Sequence, residues 1–241
     1  MFARKIILGF ALACLLPLAA AASQSQYVVI AVTGSVPDIK EGQQINAGAT
    51  IMLPPATSVR LLSATGQTVS LSGPFSGPLA APAPGAPAGD GQVITRLAKF
   101  LSERPVTTSA LGAMRSIGPP THLKEPSDPW QIVIDESGLQ CGRPPHIQIW
   151  RKDARTEAHL QLSSAGSEAA RIAWPKGQNA LPLPAKFVVD QSTFQAAMGD
   201  RVTAVKLHLP PAALSNPAEI ADWMVRVGCR RQVALFLETL R

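Results

Sequence analysis

The sequence predicts a mainly β, α+β protein with a small N-terminal β module and a β-sandwich-like C-terminal domain closed by two helices. Three observations predict this class. Short runs of alternating apolar and polar residues recur along the chain, as half-buried strands require. Turn-forming residues separate these runs, since the 241 residues include 18 glycines and 22 prolines. Helical periodicity marks a short central segment and the C-terminal end.

The first 22 residues have the pattern of a signal peptide. Two basic residues precede an uncharged apolar run at 6–16, and Ala20 and Ala22 suit cleavage after Ala22. The apolar run is shorter than the roughly 20 residues of a membrane span, so we expect no transmembrane span in the mature chain. Two alternatives stay open, namely an uncleaved signal that anchors the chain and a lipidated Cys14.

Charge and cysteine content favour an exported, periplasmic protein. Loss of the signal peptide lowers Lys+Arg from 22 to 20 against 16 acidic residues, so the net charge falls from +6 to +4. That excess, without a clustered basic face, does not indicate nucleic-acid binding. Cys141 and Cys229 then remain as an even pair, for which a disulfide in an oxidising compartment is the simplest state.

Residues 23–77 are predicted to form a small all-β module. Its first strand is apolar throughout, and the next three alternate apolar and polar residues. Ala64–Gln67 lies between two alternating runs and has the composition of a hairpin turn. The expected strands lie at 27–32, 50–53, 58–62 and 68–71.

Turn residues recur in this module at Glu41–Gly42, Ala47–Ala49, Gly66 and Gly73–Pro74. This pattern resembles the β-rich periplasmic module of FecR-like proteins. In that family an opening glycine is followed by a Gly-Ala pair, two strands, a glycine turn and a final strand that ends in Gly-Pro. The resemblance covers about 50 residues and implies the same β fold for residues 27–77. The matching residues are Glu41–Gly42, Ala47–Ala49, Ile51–Pro54, Ser58–Leu61, Gly66–Leu71 and Gly73–Pro74.

Residues 78–129 are predicted to be a Pro/Ala/Gly-rich linker that contains one short amphipathic helix at 92–104. Residues 130–241 are predicted to form the second, β-rich domain. Turn residues recur there at the spacing of an antiparallel sheet or sandwich. The expected strands lie at 130–135, 146–150, 158–162, 170–174, 186–190 and 201–209.

The C-terminal end carries the pattern of a helical pair. Asn216–Glu219 has the form of a capping box with proline in the first turn, Gly228 ends that helix, and a second helix follows at 230–240. A Cys141–Cys229 disulfide would tie the loop after the first strand of this domain to the turn between the two helices. The loop it closes holds about 90 residues, for which the chain-entropy model gives roughly 4–5 kcal/mol.

No catalytic or metal-binding pattern stands out, so we expect neither an enzyme nor a cofactor. His122, His146, His159 and His208 form no H-x-H or H-x-x-x-H pair, and the sequence has no G-x-S-x-G motif or phosphate-binding glycine loop. A site assembled only in three dimensions is the alternative, and it would require histidine, serine and acidic side chains in one cleft.

Two groups of residues are candidates for ligand contact. Trp174 and Trp150 are candidates for an exposed platform that stacks on sugars, although burial in the core is the simpler expectation for tryptophan. Arg226, Arg230 and Arg231 surround the junction of the last two helices and are candidates for contact with an anionic partner. The simpler expectation for these arginines is a solvated surface.

The leading functional hypothesis is a non-catalytic periplasmic accessory or sensing protein that binds another envelope protein or a cell-envelope component. A fold alone does not define such a role. Three alternatives come from other classes: a carbohydrate- or cell-wall-binding protein, a membrane-tethered signal-relay protein and a hydrolase.

Overall fold

The N-terminal strands form a four-stranded sheet and a separate two-stranded one. The computed structural model describes residues 26–82, 91–103 and 126–241, so the signal peptide, Cys14, His122 and most of the predicted linker lie outside the described residues. The strands are β1 (Gln26–Thr33), β2 (Gln44–Asn46), β3 (Thr50–Leu53), β4 (Ser58–Ser63), β5 (Thr68–Ser72) and β6 (Phe75–Pro78). They are all antiparallel, in the orders β2-β1-β4-β5 and β3-β6.

Strand β1 is buried on both faces, which explains why its sequence is apolar without alternation. Tyr27 and Val29 face one core, together with Leu61 of β4 and residues of the β3–β6 pair. Val28 and Ile30 face the opposite way, into a second core. Because both faces are covered, apolar side chains are favoured at every position of 27–30, whichever face the side chain points to.

Three helices cover that second face of the N-terminal sheet. They are α1 (Gly91–Ser102), α2 (Pro217–Val227) and α3 (Arg230–Thr239). Their apolar stripes meet Val28, Ile30 and Leu62 in one continuous core. The C-terminal helices, which the sequence assigns to residues 130–241, therefore pack on the strands of the N-terminal module.

Local residues place α2 on the N-terminal module. The Asn216 side chain accepts a hydrogen bond from the Ala218 amide at 2.9 Å, and this contact caps the helix as predicted. The side-chain Nδ2 atom of Asn216 donates in turn to the Ala64 carbonyl at 3.0 Å, in the turn between β4 and β5. Gly228 ends the helix in the left-handed conformation, with φ of 90°.

The C-terminal strands form a sandwich of two sheets. The strands are β7 (Ile132–Val133), β8 (Gly138–Cys141), β9 (Gln148–Trp150), β10 (Ala158–Ser164), β11 (Ser167–Trp174), β12 (Ala180–Pro182), β13 (Thr193–Met198) and β14 (Arg201–His208). Their orders are β11-β10-β13-β14-β8 and β12-β9-β7. The two sheets enclose one core that includes Ile149, Leu160, Phe194 and Leu207. The predicted β-rich α+β class with two C-terminal helices is confirmed.

The structure corrects the expected strand at 186–190. Residues Ala185–Phe187 form a short 3-10 helix instead, and Phe187 is the one residue of that turn in the core. The strand lies further on, at β13, where Phe194 and Ala196 alternate with exposed polar residues. Strands β8 and β12, of four and three residues, are also absent from the prediction because they are too short to show a period.

Within residues 26–82, 91–103 and 126–241, the helices are all too short or too polar to cross a lipid bilayer.

Candidate functional site

The predicted disulfide is present and lies where the two cores meet. Cys141 ends β8 and Cys229 sits between α2 and α3, and their Cα atoms are 6.0 Å apart. Both side chains are buried, at 0 % and 1 % exposure. Gln232 bridges the same junction, since its side chain accepts from the Cys141 amide at 2.6 Å and donates to the Pro129 carbonyl at 2.8 Å.

Arg226 belongs to an internal ion-pair group rather than to an open anion site. Its Nε atom donates to Asp222 Oδ2 at 3.0 Å, and Arg96 of α1 binds the same carboxylate from the other side. Asp222 itself is only 2 % exposed. The carboxylate therefore joins α1 to α2, and Arg226 serves this contact.

Arg230 and Arg231 are also engaged within the chain. Arg230 lies over the Phe100 ring, 5.5 Å from its centre, and 3.8 Å from a carboxylate oxygen of Glu103. Arg231 lies 3.9 Å from a carboxylate oxygen of Glu136. The three predicted arginines thus point to three different carboxylates, and no shared anion cradle forms among them.

The two tryptophans considered for a ligand platform are buried in the core, as the simpler expectation held, so the exposed platform is wrong. Trp174 is 1 % exposed and Trp150 is 4 % exposed. The Trp174 indole donates to the Gln178 carbonyl at 2.9 Å, and the Arg151 guanidinium lies 5.1 Å from its ring centre. Trp174 has the same parity on β11 as the inward-facing Ile172, so the strand carries it into the sandwich.

Two of the histidines lie at opposite ends of the five-stranded sheet. His159 pairs with Ala173 on β11. It lies at the end of the sheet that carries the β13–β14 turn, because the next residue, Leu160, pairs with Met198 at the end of β13. His208 is the last residue of β14 and pairs with Cys141. Seven residues of strand at about 3.3 Å each place these ends roughly 23 Å apart. His159 and His208 therefore do not share a site.

An open basin of about 640 Å³ lies at one end of the sandwich. It is lined by Asp135, Asp153, Met198, Asp200 and Arg201. Asp135 accepts from the Lys152 amide at 2.7 Å and lies 3.4 Å from Arg201. Among the described residues, no group of three or more His, Cys, Asp or Glu side chains is arranged to hold a metal ion.

Asp153 is held by its own neighbour at the rim of this basin. The Arg155 side chain and backbone both donate to the carboxylate, at 2.5 Å from Nη2 and 2.9 Å from the amide. These hydrogen bonds lower the pKa of Asp153 from 3.8 to about 2. Asp153 is therefore a fixed negative charge near neutral pH and is poorly suited to proton transfer.

The sheet β11-β10-β13-β14-β8 has one face turned away from the core of the sandwich. The side chains on this face come from four neighbouring strands and from Leu139 at the edge. They are His159, Gln161 and Ser163 of β10, Arg171 and Ala173 of β11, Thr193, Gln195 and Ala197 of β13, and Val202, Ala204 and Lys206 of β14. All are exposed or half-exposed, whereas the alternate residues face the core. We call this surface the outer face. The sequence prediction missed it because β13, its central strand, was not expected.

No protein-family model matches this chain, and no curated protein is similar to it in sequence. The FecR-like resemblance of residues 27–77 therefore stays a prediction. Its glycine turns do adopt the conformation that favours glycine, since Gly42, Gly48 and Gly66 have φ of 82°, 82° and 81°.

Proposed function

We propose that this chain is an exported, non-catalytic binding protein of the bacterial cell envelope, with the periplasm as its location. The observation that carries the proposal is the buried Cys141–Cys229 disulfide. Structural disulfides persist in oxidising compartments and are rare in the cytosol. The signal-peptide pattern of residues 1–22 supports the same route by an independent argument from sequence.

A binding role is favoured over catalysis by the distribution of reactive groups. A hydrolase needs a nucleophile, a base and an orienting group within hydrogen-bond reach. Of the three histidines among the described residues, His159 and His208 lie at opposite ends of one sheet and His146 is exposed in the β8–β9 loop. Asp153 is held by Arg155. The outer face, by contrast, offers a broad open surface for a partner from the envelope.

The first experiment measures the intact mass of the protein purified from its native envelope, with and without reduction. The proposal expects a chain that begins at Ser23 and gains two hydrogens on reduction. A mass that begins at Met1 instead indicates an uncleaved anchor, and signal relay at the membrane then becomes the leading function. The cytosolic fraction should contain none of the shorter form.

A Cys14→Ala variant provides the matched control. If signal peptidase cuts after Ala22, this variant is processed like the wild type, because Cys14 leaves with the peptide. If Cys14 is lipidated, the variant loses both the lipid mass and its membrane fractionation.

A further inference from the structure

We propose that the outer face binds an extended acidic glycan, a sugar polymer that carries carboxylate groups. This inference rests on the proposed function of an exported binding protein, and it names the surface and the chemical class of the ligand. It is argued from the charge, the hydrogen-bonding groups and the shape of the outer face.

The charge of the outer face is positive and sparse. Arg171 on β11 and Lys206 on β14 are its two formally charged side chains at neutral pH, and both are exposed. Across the sheet, β11 and β14 are separated by three strand spacings. Along the strands, Arg171 is level with Val202 through the pairs Arg171–Gln161, Gln161–Ala197 and Ala197–Val202, and Lys206 lies four residues beyond Val202. With strands about 4.8 Å apart and a rise of about 3.4 Å per residue, the two cations are roughly 20 Å apart. A polymer reaches both, whereas a single sugar does not.

Hydrogen-bonding groups fill the space between the two cations. Gln161 pairs with Ala197, and Ser163 pairs with Gln195, so the two amides lie on a diagonal of neighbouring strands. Such diagonal neighbours are about 7–8 Å apart. Thr193 stands directly opposite Lys206 and adds a hydroxyl. Amide and hydroxyl groups both donate and accept, which suits the alternating donors and acceptors of sugar hydroxyls.

Small side chains alternate with the polar residues of the outer face. Ala173, Ala197 and Ala204 stand among the polar residues, so no bulky group rises to block a chain laid across the strands. Acidic residues lie at the ends of the strands instead, with Asp200 in the β13–β14 turn and Glu168 near the β10–β11 turn.

Other classes of partner fit the outer face less well. Val202 and Leu139 are its large exposed apolar residues, at 61 % and 42 %. Protein hot spots and membrane-surface helices need larger apolar anchors than these. A second copy of this chain would bring a face with the same positive charges against Arg171 and Lys206, which disfavours self-association.

The test uses the oxidised mature protein, residues 23–241, with polygalacturonate as the probe. Binding is measured by affinity electrophoresis and by titration at low and high salt, against neutral dextran, monomeric galacturonate and anionic lipid vesicles. We expect saturable binding to polygalacturonate that weakens as salt rises, and none to dextran or to the monomer.

Variants place the binding on the outer face. The double variant Arg171→Glu/Lys206→Glu should lose at least tenfold in affinity, and Gln161→Ala/Gln195→Ala several-fold. The matched control is Lys40→Glu/Lys99→Glu, which makes the same charge change on exposed residues of the N-terminal module and α1, and it should stay within twofold. Unchanged melting curves confirm that each variant is folded.

Several results would overturn the assignment: equal loss in the control pair, equal binding of dextran, no binding of polygalacturonate, or binding to anionic lipid vesicles only. The mass and fractionation of the native protein test the exported location separately. A chain that begins at Ser23 and carries the disulfide, yet ignores polygalacturonate, removes this surface assignment and leaves the proposed export intact.

Discussion

Replacement of Gly66 by alanine tests whether the C-terminal helices and the N-terminal module fold as one unit. Gly66 lies in the β4–β5 turn with φ of +81°, against the start of α2. A Cβ atom there would lie 2.7 Å from Pro217 Cδ and would overlap Asn216 Oδ1. The substitution therefore pushes α2 away from the turn and disturbs the capping amide of Asn216.

A second turn glycine provides the matched control. Gly166 in the β10–β11 turn has φ of +75°, and a Cβ atom there would meet nothing within 4 Å. Both substitutions force alanine into the left-handed region, which costs about 1–2 kcal/mol. Gly66→Ala adds overpacking of about 1–3 kcal/mol and part of a cap worth about 1 kcal/mol.

We expect Gly66→Ala to lower the free energy of unfolding by at least about 1 kcal/mol more than Gly166→Ala does. Urea titration, followed by circular dichroism with the disulfide intact, measures both values. Combining Gly66→Ala with Asn216→Ala should cost less than the sum of the single changes, because the overlap is relieved. Equal costs for the two glycine variants would refute the docking of α2 on this turn.

Three further predictions follow from single interactions. Reduction of Cys141–Cys229 should lower the free energy of unfolding by about 4–5 kcal/mol, because the cross-link spans 88 residues. Urea titration with and without reductant measures this loss, and a loss below about 1 kcal/mol would contradict the chain-entropy argument. Arg155→Gln should raise the pKa of Asp153 from about 2 toward 3.8, as followed by carboxyl NMR, while the backbone amide of residue 155 still lowers this pKa in part. Because the folded pKa is depressed, its contribution to stability is present above pH 3.8 and is lost as the pH falls through about 2. The Arg151 guanidinium donates to the carbonyls of Thr156 at 2.8 Å and Pro175 at 2.9 Å. Arg151→Met would leave both carbonyls unpaired, so it should destabilise the sandwich by about 3 kcal/mol in thermal unfolding.

The local elements that were predicted correctly are those whose own residues define them. Strands β3, β4 and β5 agree with the expected runs because alternate positions are the more buried ones along most of each run, between glycine or proline turns. Helix α2 begins after Asn216 and ends at Gly228, since a cap and a left-handed glycine act on the adjacent backbone. Such signals need no knowledge of distant parts of the chain.

The packing of the helices was not predicted, because it depends on contacts between distant segments. One signal was nevertheless present in β1, where Val28, Val29 and Ile30 are all apolar. A strand covered on one face alternates, so this run indicates a cover on each side. The sequence does not say that residues from 217 onward supply that cover.

The outer face was not foreseen, and the alternative of an exposed Trp174 is wrong, both because strand parity depends on the pairing of the strands. Trp174 is a candidate for exposure from sequence because the Trp174–Pro175 pair is typical of the start of a turn. The parity of β11 decides otherwise, since Ile172 and Trp174 share the inward side and Arg171 takes the outer one. Parity along β10 likewise separates inward Leu160 from outward Gln161, so the outer face follows once the pairing of β13 is known.

The disulfide connects these two parts of the molecule in a way that bears on binding. Cys141 lies on β8, which pairs with β14 at one edge of the outer face. Cys229 lies between the helices that complete the N-terminal core. Because the cross-link joins an edge strand of the sheet to that core, it holds the outer face in a fixed position relative to the N-terminal module. Loss of the cross-link would therefore affect the N-terminal core and the orientation of the outer face together, and would leave the register of the sheet itself intact.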